Sequence, residues 1–265
     1  MSAAVQALFS RLGYPIIPDW RLDRWDQSVH IRKLFRMLGI DCALDVGGNI
    51  GQYHEFLRLH VGYDGEMVSF EPVAELFEAL KRTSAADPRW TVHQIALGEA
   101  DTTAEINVYS ERTLSSFLPT NVRSLRAMGY EKYLRETTLE RTESVPVRRL
   151  DSILDDFVSR ERRLFLKSDT QGYDMRVIRG ASACLERLLG IQIELQVREV
   201  YEGATDYLEG LAELSAMGFE PTGFFPVQRD ATQRVVNLDC VLIRREEAAR
   251  LRARLQYPPG EHQRP

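Results

Sequence analysis

The segment Cys42-Ala43-Leu44-Asp45-Val46-Gly47-Gly48-Asn49-Ile50-Gly51-Gln52-Tyr53 joins a short apolar run to an aspartate, a glycine-rich turn and a helix start. This is how an open α/β sheet grips a nucleotide-like cofactor beyond the carboxyl end of its first strand. Gly47 and Gly51 permit close backbone approach, and the helix behind them offers unpaired N–H groups. Further on, the strand-like run Met67-Val68-Ser69-Phe70 ends in Glu71, placed to accept hydrogen bonds from both hydroxyls of a ribose. A dinucleotide fingerprint reads G-x-G-x-x-G and seats a pyrophosphate on the helix. Here the spacing is D-x-G-x-x-x-G. A carboxylate ahead of the first glycine repels a pyrophosphate and suits a cofactor with a cationic end, such as S-adenosylmethionine.

A second constellation is Arg163-Leu164-Phe165-Leu166-Lys167-Ser168-Asp169-Thr170-Gln171-Gly172-Tyr173-Asp174, again a strand, a polar end and a turn into a helix. The switch-point rule puts Asp169 on the same crevice as Asp45 and Glu71. In the following run, Ile191-Gln192-Ile193-Glu194-Leu195-Gln196, Glu194 stands near a neighbouring strand end. Two such carboxylates share a proton, bind a metal or hold a hydroxyl. The structural alternatives are a turn cap for Asp169 and an ion pair with Lys167 or an arginine for Glu194. Among five histidines, His54 lies one turn into the helix after Gly51 and is the candidate that faces the cofactor. His93 reads as a strand or core residue.

These side chains need elements to carry them. The pattern predicts strands at 42–46, 66–71 and 91–95, with helices at 50–61 and 73–84. An insertion at about 104–148 follows: a strand at 104–109, a loop at 113–119, a helix over 122–137 and a strand at 144–148, with Pro146 favouring an edge. The alternation resumes with a helix at 151–160, a strand at 163–169, a helix at 173–189, a strand at 189–197 and a helix at 205–217. The runs Phe219–Phe225 and Val235–Ile243 are joined by a loop too short for a crossover and must pair antiparallel. Residues 1–41 read as a helical cover with a Pro-interrupted turn, and 246–265 as a last helix and a disordered tail. The class is α/β: a mostly parallel sheet with a reversed terminal hairpin and helices on both faces.

In their order, LDVGGNIGQY, SFEP, IALG, LSSFLP, LKSDTQGYDMRVIRGA and IQIELQ are similar to the FkbM-type family of S-adenosylmethionine-dependent methyltransferases, from about residue 20 to 245. The resemblance implies a Rossmann-like class I methyltransferase fold with a seven-stranded sheet over residues 42–245. It also implies O-methylation of a hydroxyl on a sugar, an oligosaccharide or a polyketide-type metabolite. By that resemblance Asp45, Gly47, Gly48, Asn49 and Gly51 line the methionine end of the cofactor, Glu71 takes the ribose, and Pro72 and Val73 flank the adenine. Ala96 and Leu97 lie near the adenine edge, and Asp169 and Gln171 sit beside the methyl group. Gly48 stands where relatives more often carry alanine, Ser168 replaces an apolar residue, and Gln171 stands where many carry glutamate.

Asp169 is the first candidate for the base that takes the acceptor proton, with Glu194 and His54 behind it. Ser115 and Ser116 from the insertion, with Tyr173 and Tyr201, are candidates for the acceptor site, and Phe224 and Phe225 could wall it. The competing expectations are a magnesium-assisted variant using Asp169 and Glu194, a non-catalytic cofactor-binding protein, and a nicotinamide oxidoreductase. Magnesium is not expected.

The chain of 265 residues is 44% apolar and 28% charged, as in an ordinary globular protein. A net charge of −5 gives no reason to expect nucleic acid as a partner. Cys42, Cys184 and Cys240 sit apart in apolar surroundings without a C-x-x-C pair, as core residues in a reducing compartment. With no signal pattern and no run near the ~20 apolar residues a membrane span requires, the expectation is cytoplasmic. Homo-oligomerisation stays open.

Overall fold

The computed structural model describes residues 22–254; the expected Pro-interrupted turn near the N-terminus and the C-terminal tail lie outside them. The chain runs through α1 (Leu22–Leu38), β1 (Cys42–Val46), α2 (Gln52–Glu55), a wider π-type turn (Phe56–Val61), β2 (Glu66–Phe70), α3 (Ala74–Ser84), β3 (Trp90–His93) and β4 (Ala96–Leu97). The insertion supplies β5 (Thr102–Tyr109), α4 (Val122–Ala127), α5 (Glu131–Glu136) and β6 (Leu139–Arg148). Then come α6 (Leu150–Phe157), β7 (Leu164–Ser168), α7 (Asp174–Arg179), β8 (Leu188–Gln196), α8 (Tyr207–Ala216), β9 (Phe219–Arg229), β10 (Val235–Arg244) and α9 (Arg245–Arg254).

The main sheet has seven strands in the order β3-β2-β1-β7-β8-β10-β9. The first five run parallel, and β10 is antiparallel to both β8 and β9. This is the Rossmann-like class I methyltransferase sheet with its reversed terminal strand. β1 and β7 are buried along their whole length, as central parallel strands covered on both faces must be. The order turns between β1 and β7, so their carboxyl ends open the crevice.

Each face has its own apolar layer. On one, Leu44, Val46, Leu166, Ile191 and Ile193 pack with Leu150 and Leu154 of α6, Ile178 of α7 and Leu214 of α8. On the other, Ala43, Met67, Phe165 and Val241 pack with Ile31, Leu34, Phe35 and Leu38 of α1 and with Tyr53, Phe56 and Leu57. Among the described residues no helix is long and apolar enough to cross a membrane.

Three expectations are corrected. The helix over 122–137 is two short helices broken at Gly129, which takes φ +70°, and the first is capped by Asn121 accepting from the Ser124 N–H. The strand at 144–148 begins at Leu139 and lies between β4 and β5. β4 reaches only Val147 and Arg148, so Pro146 still meets a neighbour on one side alone. The helix over 173–189 stops at Gly180, because the backbone of Gly98 and Glu99 passes there: a Cβ on Gly180 would lie 1.9 Å from the Gly98 carbonyl oxygen. Asp151 then accepts hydrogen bonds from the Ala183 and Cys184 N–H groups and starts the short turn Leu185–Arg187.

Gly180→Ala is therefore expected to destabilise the fold by ~3 kcal/mol or more in urea unfolding. Gly62→Ala, at φ +71° but in open space, is expected to cost about 1 kcal/mol.

Candidate active site

The parallel register places a row of polar side chains across the inner strands. Ser69 pairs with Asp45, Asp45 with Lys167, and Lys167 with Gln192. Asp45 is fully buried; its carboxylate accepts from the Lys167 ammonium at 3.0 Å and from the Ser69 hydroxyl at 2.9 Å, and Ser69 in turn accepts from the Trp90 indole N–H. Burial works against the Lys167 charge, but Asp45 and Asp169 outweigh it and hold its pKa above the ordinary lysine value. Lys167 lies 3.8 Å from Asp169 Oδ2 and over the Tyr53 ring.

Two adjoining hollows open over this row. The smaller, of about 50 Å³, lies between the ends of β1 and β2, β4 and the insertion. It is lined by Glu71, Pro72, Val73, Ala96, Leu97 and Ser115 among others. Glu71 is buried and accepts from the Asn49 and Val73 N–H groups, both at 2.9 Å, which fixes the glycine turn relative to β2. Burial pushes its pKa up to about 7 despite those two donors. Asn49 Oδ1, Ser115 Oγ and Thr170 Oγ1 are buried there without a partner. Such orphans suit a polar ligand.

The larger cavity, of about 540 Å³, runs under α1 toward β9. Its lining includes Lys167, Asp169, Gln171, Gln192, Glu194 and Asp239. Gly47, Asn49, Thr113, Asp169 and Gln171 belong to both hollows, which therefore adjoin at these residues. Asp169, partly exposed, accepts from the Gln171 side-chain amide at 2.7 Å. Gly47 is needed where these loops meet: it takes φ +81°, and a Cβ there would stand 2.1 Å from the Asp169 carbonyl oxygen.

The sequence profile of the methyltransferase FkbM domain matches residues 45–221. The chain belongs to the methyltransferase FkbM family. Solved structures it is similar to include the methyltransferase FkbM from Methylobacillus flagellatus KT (15% identity, 77% of this chain and 43% of that one, TM-score 0.47). Others are Aeropyrum pernix fibrillarin with S-adenosyl-L-methionine (10%, 77% and 66%, 0.44) and magnesium protoporphyrin IX methyltransferase from Synechocystis PCC 6803 with bound SAM (7%, 92% and 92%, 0.42). The chain thus spans less than half the length of the Methylobacillus protein. No curated protein sequence matches it.

Against this FkbM frame the expected residues divide. Gly47, Asn49, Glu71, Pro72, Ala96, Leu97, Asp169 and Gln171 line the hollows, as do Gly48, Glu194 and Ser115. Gly51 does not line either hollow; at φ +103° it lets the Trp90 ring pack where a Cβ would sit 2.7 Å away. Asp45 lines neither hollow: its carboxylate meets Lys167 and Ser69, and Lys167 itself lines the larger one. This corrects the ion pair of Glu194 with Lys167. His54 lines neither hollow: it stacks on Trp90 at 3.9 Å and meets Asp87 Oδ2 at 2.9 Å.

Ser116 donates to the Gln171 carbonyl and accepts from the Leu118 N–H, so it splints the loop from behind. Tyr173 packs on Phe117, and Tyr201 is buried with its hydroxyl 2.8 Å from the Leu114 carbonyl oxygen; neither lines a hollow. Phe225 does line the larger one, whereas Phe224 is exposed. Sequence reasoning missed Gln27, Tyr53, Gln192, Asn237 and Asp239. The signal for the last three was the alternation of polar residues within apolar strands, in IQIELQ and VVNLDCV. Among the described residues no three His, Cys, Asp or Glu side chains gather to hold a metal ion.

Lys167→Met leaves Asp45 buried without its cation and is expected to cost about 3–5 kcal/mol in urea unfolding. In an Asp45→Asn background the same change should cost at least ~1 kcal/mol less. Equal losses in both backgrounds would show that the two groups do not interact.

Proposed function

We propose that this FkbM-family protein is an S-adenosylmethionine-dependent O-methyltransferase acting on a hydroxyl of a saccharide or a polyketide-type metabolite. The carrying observation is Asp169, a partly exposed carboxylate shared by a narrow cleft with a buried ribose-type acceptor, Glu71, and a large polar cavity. S-adenosylmethionine would supply a methyl group made electrophilic by its sulfonium. The orphaned Asn49, Ser115 and Thr170 oxygens and the apolar walls of Ala96, Leu97 and Val73 fit its adenosine part.

Asp169 would receive the proton of the acceptor hydroxyl, held by Gln171 on one oxygen and facing Lys167 with the other. A placed base typically contributes ~10²–10⁴-fold. The larger share comes from alignment of the acceptor oxygen, which the enclosed cavity under α1 supplies. The lining favours an uncharged or basic acceptor over nucleic acid, because Asp169, Glu194 and Asp239 together repel phosphates. The lining also holds many side-chain amides, which suits a polyhydroxylated molecule.

Asp169→Asn is expected to bind S-adenosylhomocysteine within about threefold of wild type while kcat falls by ~10²–10⁴-fold. Full turnover would remove Asp169 from this role. Titration calorimetry should also show affinity falling as pH drops below about 7, by up to tenfold per unit. The sign follows from Glu71, whose ionised form accepts hydrogen bonds from the ribose hydroxyls and is lost on protonation. Glu71→Gln should weaken binding and remove the pH dependence.

A further inference from the structure

The far end of the large cavity carries amide oxygens that no donor meets, beside two acids. Gln27 and Gln192 both donate their amides to Asp239 Oδ2, at 2.6 and 3.0 Å, and the Tyr53 hydroxyl donates to Gln192 Oε1. Each of these amides spends one N–H on Asp239. Asn237 Oδ1 is buried without a partner on the cavity wall, and so is Gln228 Oε1. Asp239 and Glu194 are direct cross-strand partners, which puts a buried and a half-buried acid on one face of the sheet. Lys167 is the one cation lining the cavity among the described residues, and it is committed to Asp45 and Asp169. Neutral hydroxyls would fill the acceptors but bring no positive charge to the two acids.

The cofactor's own ammonium is not the group in question. Asp239 stands on β10, three strands from β1. At ~4.8 Å per strand this is about 14 Å across the sheet from the glycine turn, on the acceptor side of Asp169. Burial also holds both carboxyls above their ordinary range, Asp239 at about 6.

We propose that the acceptor carries an amine, protonated at neutral pH and seated among Glu194, Asp239 and the Asn237 side-chain oxygen: an amino sugar or a similar amino polyol. An ammonium brings three donors and the missing positive charge to a site with spare acceptors. The inference rests on the methyltransferase reading above, with the hydroxyl to be methylated lying at the Asp169 end of the same molecule.

The test is binding of D-glucosamine, N-acetyl-D-glucosamine, D-glucose and D-glucuronate to the protein saturated with S-adenosylhomocysteine, read by ligand-observed NMR. Glucosamine is expected to bind on the order of tenfold or more tightly than its N-acetyl form and glucose, with glucuronate weakest. The preference should vanish in Asp239→Asn and in Glu194→Gln, each checked for folding by retained S-adenosylhomocysteine affinity. Equal affinities, no glucosamine binding up to its solubility, or a preference that survives in both folded variants overturns the proposal. If the variants do not fold, the wild-type ranking alone decides. Failure of S-adenosylhomocysteine itself to bind would instead defeat the underlying function, and the acceptor with it.

Discussion

The contact between the Lys167 ammonium and the Asp45 carboxylate, at 3.0 Å inside the sheet, constrains everything around it. Both groups are buried, so each requires the other: separating them would leave an uncompensated charge in the interior. The pair also requires β1 and β7 to lie in one register, and Ser69 extends the requirement to β2. An apolar pair would hold the strands as well or better. What the ions add is position, because Lys167 reaches past Asp45 toward Asp169 and the Gly47 carbonyl, where the two ligand-facing loops meet.

From that centre the site divides into two chemically different ends. Toward β2, Glu71 holds the turn through the Asn49 and Val73 N–H groups and shares a narrow cleft with apolar walls. This is an environment for a flat ring and a ribose. Toward β10, the floor is acids and amides and the roof is α1, which contributes Gln27. The insertion closes the site between them: Thr113 and Leu114 reach the large cavity, while Ser116 ties the insertion to Gln171. On the function proposed above, cofactor and acceptor selection fall to different parts of the chain.

Much of the cofactor end was legible in the sequence because it is local. The turn after β1, Glu71 after β2 and Asp169 after β7 each follow a strand within a residue or two, so strand order alone brings them together. The terminal hairpin was legible for the same reason, a connection too short to cross over. Residues whose direction depends on distant neighbours were not. His54 turns to Trp90 and Asp87, and Asp45 to Lys167, more than a hundred residues away. Tyr201 is drawn into the insertion's own small core with Tyr109, Leu125 and Tyr133. The acceptor floor was half-visible: alternating polar residues mark a wetted face on β8 and β10, but only the antiparallel register sets Asp239 opposite Glu194.

The most direct test of this division is a crystal structure with S-adenosylhomocysteine bound. It should show both ribose hydroxyls on Glu71, the adenine between Val73 and Leu97, and the thioether sulfur beside Asp169, facing the cavity under α1. Adenosine lying instead over Glu194 and Asp239, or a ribose with no contact to Glu71, would contradict the assignment.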